Sequence, residues 1–408
     1  MSDETFGAAG EAAGGVVRVE TSSRAYDVHV VPGVLARTGE LVREAAGGER
    51  AFVVSDTNVA PLYAGEVLAS LEAGGYRTAS FTFEAGEASK RAGTWASCLE
   101  AIAQAGLTRD DVVVALGGGV VGDLAGFAGA SYMRGCAVAQ VPTSLLAMVD
   151  SSVGGKTAID LAAGKNLAGA FWQPRVVVAD PRCLATVPHD LLTDSCGEVI
   201  KHGVLADPAL FAELERRPLN APGYPEGALA AVIARNVEIK RDVVDADERE
   251  RGLRQTLNLG HTIGHAVEAA SGFALGHGTC VAIGLCAIAR AAAAEGVCDA
   301  EVARRIERVV DAHGLPTDTA LDHDLIVRLA SHDKKRHGDG VNVVLPLEIG
   351  RVEVRRLSME AFARLVDEGC GTAEIGRCVG TGEAACAARP DAVASGAAAQ
   401  AQAPEEGR

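Results

Sequence analysis

A chain of 408 residues is long for one compact domain and comfortable for two, since domains usually hold about 100–200 residues each. Apolar residues make up 48% and charged residues 23%, so a core can be buried and global disorder is excluded. Lys and Arg number 38 against 54 Asp and Glu, a net charge of −16. That balance argues against nucleic acid as a partner, although a local basic pocket for an anionic metabolite remains open.

Aromatics are only 4%, which leaves Ala, Val, Leu, Ile and Gly to build the core. No apolar run is expected to approach the roughly 18 residues that span a bilayer, so no membrane partner is expected. The N-terminus, Met-Ser-Asp-Glu-Thr, lacks the basic flank and apolar stretch of a secretory signal. Ten cysteines without a Cys-x-x-Cys pair read as reduced thiols, and the expected location is cytoplasmic.

Residues 1–15 are Gly/Ala-rich and are expected to be a disordered tail. Up to about residue 181, short β-branched runs alternate with helical stretches. The clearest strands are Ala51–Ser55, Val112–Leu116 and Arg175–Asp180, with Ala60–Leu71 as a helix. Near-continuous apolar strands alternating with helices predict a parallel sheet covered on both faces. After Pro181, helical periodicity dominates in Ala228–Asp247, Thr256–Ala270, Gly278–Glu295 and Ala300–His313, and Val341–Pro346 reads as a late strand or hairpin. From residue 371 to 408 large apolar residues almost vanish, and a second disordered tail is expected. The expected organisation is an α/β, Rossmann-like nucleotide-type domain over 16–181 and a mostly α-helical domain over 182–370.

Leu116 ends the strongest strand, and Gly117-Gly118-Gly119-Val120-Val121-Gly122-Asp123 follows at once. Such a turn lets the backbone approach a ligand while the next helix start offers N–H groups to a phosphate. The string satisfies G-x-G-x-x-G, yet the next acid is Asp150, later than the dinucleotide fingerprint wants. Asp56, just past the first strong strand, is either a ribose ligand or a helix N-cap. Ser152-Val153-Gly154-Gly155-Lys156-Thr157 imitates a P-loop but fails it, because the first required glycine position is Asp150.

His261 and His265, four apart, share a helical face and could chelate one cation. His277 and Glu198 could complete a site for zinc or a related divalent ion, and five of the ten histidines fall between His189 and His277. Lys156, Lys165, Lys201, Lys240, Arg134, Arg254, Lys334 and Lys335 stand in apolar or glycine-rich context. In so acidic a chain they read as a focused anion site for phosphate or carboxylate.

These motifs together resemble the 3-dehydroquinate synthase family of sugar-phosphate cyclases. The resemblance is carried by Gly117 to Phe127, Tyr132-Met133-Arg134-Gly135, Gln140 to Thr157, Gly164-Lys165-Asn166, Glu198-Val199-Ile200-Lys201, Leu257 to His265, His277-Gly278 and Asp333-Lys334-Lys335. It implies an N-terminal NAD-binding domain, a helical C-terminal domain, an active site between them and a homodimer. It assigns NAD contacts to Asp56, Glu87, Lys90, Gly118, Gly119, Asp123, Thr143, Ser144, Lys165, Asn166 and Thr186. Zinc, or cobalt, falls to Glu198, His261 and His277. Substrate contacts fall to Asp150, Lys156, Lys201, Lys240, Arg254, Asn258, His265 and one or both of Lys334 and Lys335, with Arg134 reaching across the dimer.

The implied reaction converts 3-deoxy-D-arabino-heptulosonate 7-phosphate into 3-dehydroquinate and phosphate, a step of the shikimate route to aromatic amino acids. It proceeds by transient oxidation with NAD, phosphate elimination, re-reduction and intramolecular aldol closure. Ser144, His189-Asp190, Cys196 and Thr279-Cys280 depart from the usual pattern without removing a ligand. Cys196 and Cys280 are either inert core thiols or thiols near the metal, where alkylation would inhibit and bound NAD plus zinc would protect. The alternatives are an amino-dehydroquinate, deoxy-inosose or epi-valiolone synthase, and, in another class, a metal-dependent polyol dehydrogenase. Retention of Arg254, Asn258 and His265 speaks against the two cyclases whose substrates lack a carboxylate.

Overall fold

Strands that read as unbroken apolar runs lie at the centre of a sheet buried on both faces. In the computed structural model, which describes residues 14–250, 252–272, 274–332 and 340–371, seven strands form one sheet. They are β1 (Gly15–Glu20), β2 (Ala25–Val30), β3 (Arg50–Asp56), β4 (Arg77–Phe83), β5 (Val112–Gly117), β6 (Ala137–Pro142) and β9 (Val176–Ala179). Their order is β1-β2-β9-β6-β5-β3-β4, parallel throughout except for the β1–β2 hairpin. Between β6 and β9 the chain forms a separate antiparallel hairpin, β7 (Lys156–Leu161) with β8 (Gly164–Phe171).

The period of two sorts the side chains. Val53, Val112, Val114 and Leu116 join one apolar cluster, with Leu41 and Val42 of α1 (Thr38–Ala46) and Val67 and Leu71 of α2 (Ala60–Ala73). Phe52, Val54, Val113 and Ala115 join the opposite one, with Cys98 and Ile102 of α3 (Ala92–Gln104) and Leu124 and Ala128 of α4 (Gly119–Ser131). The sheet is therefore covered by helices on both faces, as the alternating runs predict.

Past residue 181, helices dominate: α5 (His189–Ala206), α6 (Pro208–Arg216), α7 (Glu226–Ala246), α8 (His261–Ala270), α9 (His277–Ala294), α10 (Ala300–Ala312), α11 (His323–His332) and α12 (Met359–Gly369). The late strand is β10 (Gly340–Glu348), paired antiparallel with β11 (Arg351–Ser358). The helix expected from Thr256 starts only at His261. A 3₁₀ turn over Leu253–Asn258 and a left-handed Gly260 (φ 77°) interrupt the pattern. The expectation that no apolar run approaches membrane-spanning length fails for α9, which is 18 residues long and apolar enough by composition. It is a core helix here, with 72% of that stretch buried among α5, α8, α10 and α12. Of the expected tails only residues 14, 15 and 371 are described, and Gly15 already belongs to β1; the Lys334–Lys335 pair lies outside the described residues.

A core with few aromatics gains from close backbone approach, and α4 supplies it. A Cβ at Gly126 would stand 2.4 Å from Thr157 Cγ2, and one at Gly129 would stand 2.3 Å from Val138 Cγ2. Those gaps let the helix lie directly on β6 and β7. Gly126→Ala gains helix propensity, worth about 1 kcal/mol, but overpacking costs about 1–3 kcal/mol. We expect a lowered melting temperature by calorimetry; a rise would mean that β7 yields to the methyl group.

Candidate active site

The glycine turn leaves β5 at its C-terminal end and enters α4. None of Gly117, Gly118 and Gly119 has a positive φ, so the sharp turn itself does not require glycine. Space does: a Cβ at Gly117 would collide with Val121 Cγ2 at 2.5 Å. Cβ atoms at Gly118 and Gly119 would crowd the Ser144 and Ser151 hydroxyls at 3.4 and 3.3 Å. The turn thus faces a row of hydroxyls, a surface suited to a phosphate.

The other candidate nucleotide residues lie at the same edge, after the C-terminal ends of parallel strands. Asp56 ends β3, and its Oδ1 accepts from Asn58 and Val59 N–H at 2.9 Å, so it does cap the turn into α2. Thr143 follows β6, its N–H bonded to Gly117 O at 3.0 Å, and Ser144 Oγ accepts from Ala147 N–H at 3.3 Å. Lys90, 5% exposed, reaches Asp123 Oδ2 and Asn166 Oδ1, each at 2.6 Å. Lys165 bonds Glu268 Oε1 at 2.7 Å and stands 3.8 Å from Glu87. Thr186 Oγ1 lies 2.7 Å from the Tyr63 hydroxyl.

The second half of the site is built by α5, α8 and α9 in backbone contact. A Cβ at Gly197 would meet Gly278 O at 2.1 Å, and one at Gly284 would meet Gly260 O at 2.0 Å. Those glycines adjoin Glu198, His277 and His261, so tight helix contact brings the three side chains to one point. His261 Nε2 and His277 Nε2 each stand 3.3 Å from Glu198 Oε1. His261 Nδ1 faces Leu259 O at 3.1 Å and His277 Nδ1 faces Glu268 Oε2 at 3.4 Å. Each Nδ1 can only donate there, which leaves Nε2 as the bare lone pair aimed at the carboxylate. This is how ligating histidines are oriented.

Glu198 is 1% exposed, and neither of its oxygens completes a hydrogen bond, although Lys201 Nζ touches Oε2 as an ion pair. Burial opposes a charge on His277, yet the nearby Glu198 and Glu268 carboxylates outweigh that and lift it to about 10, so a proton competes with a cation for its Nε2. A buried carboxylate whose oxygens complete no hydrogen bond among the described residues, facing two imidazole Nε2 atoms whose Nδ1 atoms are both occupied, fits a divalent cation at this point. His265 shares the cluster, with a ring nitrogen within 4.8 Å of those of His261 and His277. It is exposed, and among the described residues no hydrogen bond orients it.

Next to the carboxylate lies a cationic wall. Lys240 Nζ stands 2.7 Å from Asp150 Oδ1 in the turn after β6, and Lys201 is 1% exposed. Although burial disfavours its charge, Lys240 and Lys201 hold Asp150 well below the usual carboxylate range. Lys156 at the start of β7 pairs with Glu250 Oε2 at 2.6 Å, and Glu250 Oε1 accepts from Asn258 Nδ2 at 3.3 Å. Arg254 is 1% exposed, and its guanidinium donates to Glu248 O at 2.6 Å and Gly154 O at 3.3 Å, with Nε left unpartnered. Arg134 does not join this cluster. It is exposed in the turn before β6, at the opposite edge of the sheet.

Among the described residues four non-glycines have a left-handed backbone: Met133, Arg134, Asn166 and Glu250. Asn166 and Glu250 touch site residues, through Lys90 and through Lys156 and Asn258, whereas Met133 and Arg134 form the turn before β6 at the other end of the sheet. Sequence reading passes over three contributors and has a fourth, His202, only as one of the clustered histidines. Glu250 is one. Glu268 lies seven residues after His261 on the same helix and anchors both His277 and Lys165. Asp194, one turn before Glu198, accepts from Gly278 and Thr279 N–H at 3.2 and 2.7 Å and so fixes the start of α9. His202, fully buried, lies within 4.8 Å of Asp150 and Glu198 and pairs with Asn236 at 2.9 Å. The period of 3.6 could have found Glu268 and Asp194.

The 3-dehydroquinate synthase N-terminal family model matches residues 80–194, and the C-terminal one matches 195–336. The chain belongs to the 3-dehydroquinate synthase family. It is 44% identical over 340 residues to 3-dehydroquinate synthase of Symbiobacterium thermophilum, covering 82% of this chain and 95% of that one. Its identity to the Streptococcus pneumoniae protein of the same name is 40% over 346 residues, 84% and 97% of the two chains. In structure it is similar to 2-deoxy-scyllo-inosose synthase complexed with carbaglucose-6-phosphate, NAD+ and Co2+ (TM-score 0.79, 24% identity, 87% and 99% covered). It is also similar to 2-epi-5-epi-valiolone synthase of Streptomyces hygroscopicus with NAD+ and Zn2+ bound (TM-score 0.77, 26% identity, 85% and 98% covered).

Two departures from the usual pattern of the 3-dehydroquinate synthase family have a local account. Thr279 N–H and Oγ1 both donate to Asp194 Oδ1, at 2.7 and 2.8 Å, so Thr279 serves the capping of α9. Cys196 and Cys280 do not offer the accessible thiols that inhibition by alkylation requires: both are 0% exposed. We expect native protein treated with iodoacetamide to leave both unmodified by peptide mass spectrometry, and unfolded protein to react at both. Modification of either in the native state would reveal an opening motion of α5 against α9.

Proposed function

We propose that this chain is an enzyme converting 3-deoxy-D-arabino-heptulosonate 7-phosphate into 3-dehydroquinate and phosphate, acting in the cytoplasm as a homodimer. The observation that carries the reading is the convergence of Glu198, His261 and His277 beside the Asp150–Lys240 pair and Lys201, in a chain of this family. Eight free thiols among the described residues accord with a reducing compartment. NAD would lie along the strand ends, contacting Asp56, Glu87, Lys90, Gly118, Gly119, Asp123, Thr143, Ser144, Lys165, Asn166 and Thr186. Glu198, His261 and His277 would hold one divalent ion, zinc or cobalt. When bound, the nicotinamide supplies reversible hydride acceptance and the cation polarises a carbon–oxygen bond.

The chain's own side chains would do the rest. Lys201 and Lys240 present buried ammonium groups that stabilise negative charge on substrate oxygens. Asp150 accepts a hydrogen bond from a substrate hydroxyl and keeps Lys240 in place. Lys156 and Asn258 exchange the Glu250 carboxylate for an anionic group of the substrate. His265, beside the histidine pair, is the residue placed to hydrogen-bond a substrate oxygen. Arg254 steadies the turns at Gly154 and Glu248 from below and supports these contacts. Arg134, at the far edge of its own sheet, serves the partner's site. The remaining steps ask for a folded substrate conformer more than for a dedicated catalyst.

The decisive assay incubates purified protein, NAD and zinc with the heptulosonate phosphate. Phosphate release should proceed with no lasting rise in NADH absorbance, and the carbocycle should be 3-dehydroquinate by mass and NMR. Stoichiometric NADH would make the protein a polyol dehydrogenase instead.

A second measurement addresses the metal. His261 and His277 have anchored Nδ1 atoms and His265 has none, so His261→Ala and His277→Ala should lose bound zinc. His265→Ala should retain it while turnover falls by roughly 10²–10⁴, the usual span for a general acid–base residue. Metal analysis of the three purified variants decides; zinc lost with His265 and kept without His277 would reverse the ligand assignment.

A further inference from the structure

A parallel sheet has two edges, and the active site uses only one. Asp56, the glycine turn, Thr143 and Asp180 follow the C-terminal ends of β3, β5, β6 and β9. At the N-terminal ends of the same strands lies a cavity of about 350 Å³, within the roughly 300–1,000 Å³ usual for small-molecule sites. Arg24 precedes β2, Arg109 and Asp110 precede β5, Trp172 and Gln173 precede β9, and Arg175 immediately precedes Val176; all line this cavity. Three guanidinium groups therefore face one carboxylate, in a chain whose net charge is −16.

The charges are not consumed by the protein. Among the described residues neither Arg24 nor Arg175 makes an ion pair or a side-chain hydrogen bond. Burial and the neighbouring Arg175 charge both push the Arg24 guanidinium below its ordinary value, so the two repel each other. Arg109 is tied only to Met133 O, at 3.3 and 3.0 Å. Gln173, 6% exposed, donates to Glu248 and leaves Oε1 without a partner. Cations that outnumber acids three to one in a concave, partly desolvated place are a usual arrangement for recognising an oxyanion, and guanidinium forks match its geometry.

We propose that this cavity is a second anion site, distinct from the active site, which takes a phosphate group either as free inorganic phosphate or on a small phosphate ester. The unpartnered Gln173 oxygen suits a ligand that also carries a hydroxyl. Occupancy bears on the turn that carries Arg134: Arg109 holds Met133 O, and Gly135 lines the cavity. The proposal does not depend on the reaction assigned above.

Trp172 gives a local readout, because the chain has two tryptophans and the other, Trp95, is stacked on Phe127 5.1 Å away in a different cluster. In full-length Trp95→Phe protein, titration with inorganic phosphate or with glucose 6-phosphate should give a saturable change in Trp172 emission. The tighter of the two identifies the source of the group. Adding Arg24→Gln and Arg175→Gln should weaken that affinity at least tenfold, whereas Lys156→Gln should leave it within twofold. Should the double substitution fold poorly, Arg24→Gln alone carries the test, since that guanidinium makes no bond in the protein. An equal response to sodium chloride at matched ionic strength, or unchanged affinity in the arginine variants, would overturn the proposal. So would a silent titration accompanied by weaker self-association of the double variant in sedimentation, which would assign the arginines to carboxylates of a second copy.

Discussion

Everything in the site hangs on one costly arrangement, the burial of Glu198 and Lys201 beside Asp150 and Lys240. Glu198 and Lys201 are each 1% exposed and Lys240 is 6% exposed. Removing one partner from such a set strands a charge in low dielectric, at a cost of about 3–5 kcal/mol. Stability alone does not ask for these groups, since well-packed apolar residues would serve as well or better. What they provide is an electrostatic field already in place before a ligand arrives. Solvent has little room to reorganise around it, and that is the property transition-state stabilisation needs.

That field requires backbone precision, and the composition supplies it in an unusual way. With aromatics at 4%, the core cannot lean on large rings to fill space. Helices instead touch through glycine and alanine: Gly197 on Gly278, Gly284 on Gly260, and Gly264 against Cys280 O. Each contact sits beside a residue of the cation cluster. Close approach shortens the distance a glutamate or histidine must bridge, so the ligands hold few rotameric options and little entropy is lost when a cation binds.

Strand runs such as VVVAL were readable because both faces of the central sheet are buried, and burial on both faces leaves an apolar signature without alternation. The half-exposed elements were not readable on the same terms. The β7–β8 hairpin mixes polar residues, small apolar ones and glycine without a clean alternation, and its pairing comes from the turn and from Gly169 lying on Thr157 O. Histidine spacing pointed to the metal cluster but could not separate His265 from His277, because a period of 3.6 reports a shared face and says nothing of what orients each ring. The deciding facts, Leu259 O behind His261 and Glu268 behind His277, are tertiary or lie in a turn. Lys156 and Asn258 were legible as polar positions in glycine-rich motifs, whereas Glu250 was hidden among the acids of a charged run.

The strand order also governs how the chain can fold as it is synthesised. β9 lies between β2 and β6, yet it is the last of the seven strands to be made, about 150 residues after β2. Until it is made, both β2 and β6 carry an open edge. The N-terminal hairpin is tied down later still, by Asp245 accepting from Glu20 N–H at 3.0 Å and Glu248 accepting from Ser23 N–H at 3.2 Å. An emerging chain must therefore hold exposed Val-rich strands until residue 179 of 408 has been made, and those unpaired edges are where association between nascent chains would begin. The sheet closes as a late, long-range event, so its assembly is slow for its size and vulnerable before β9 arrives rather than after.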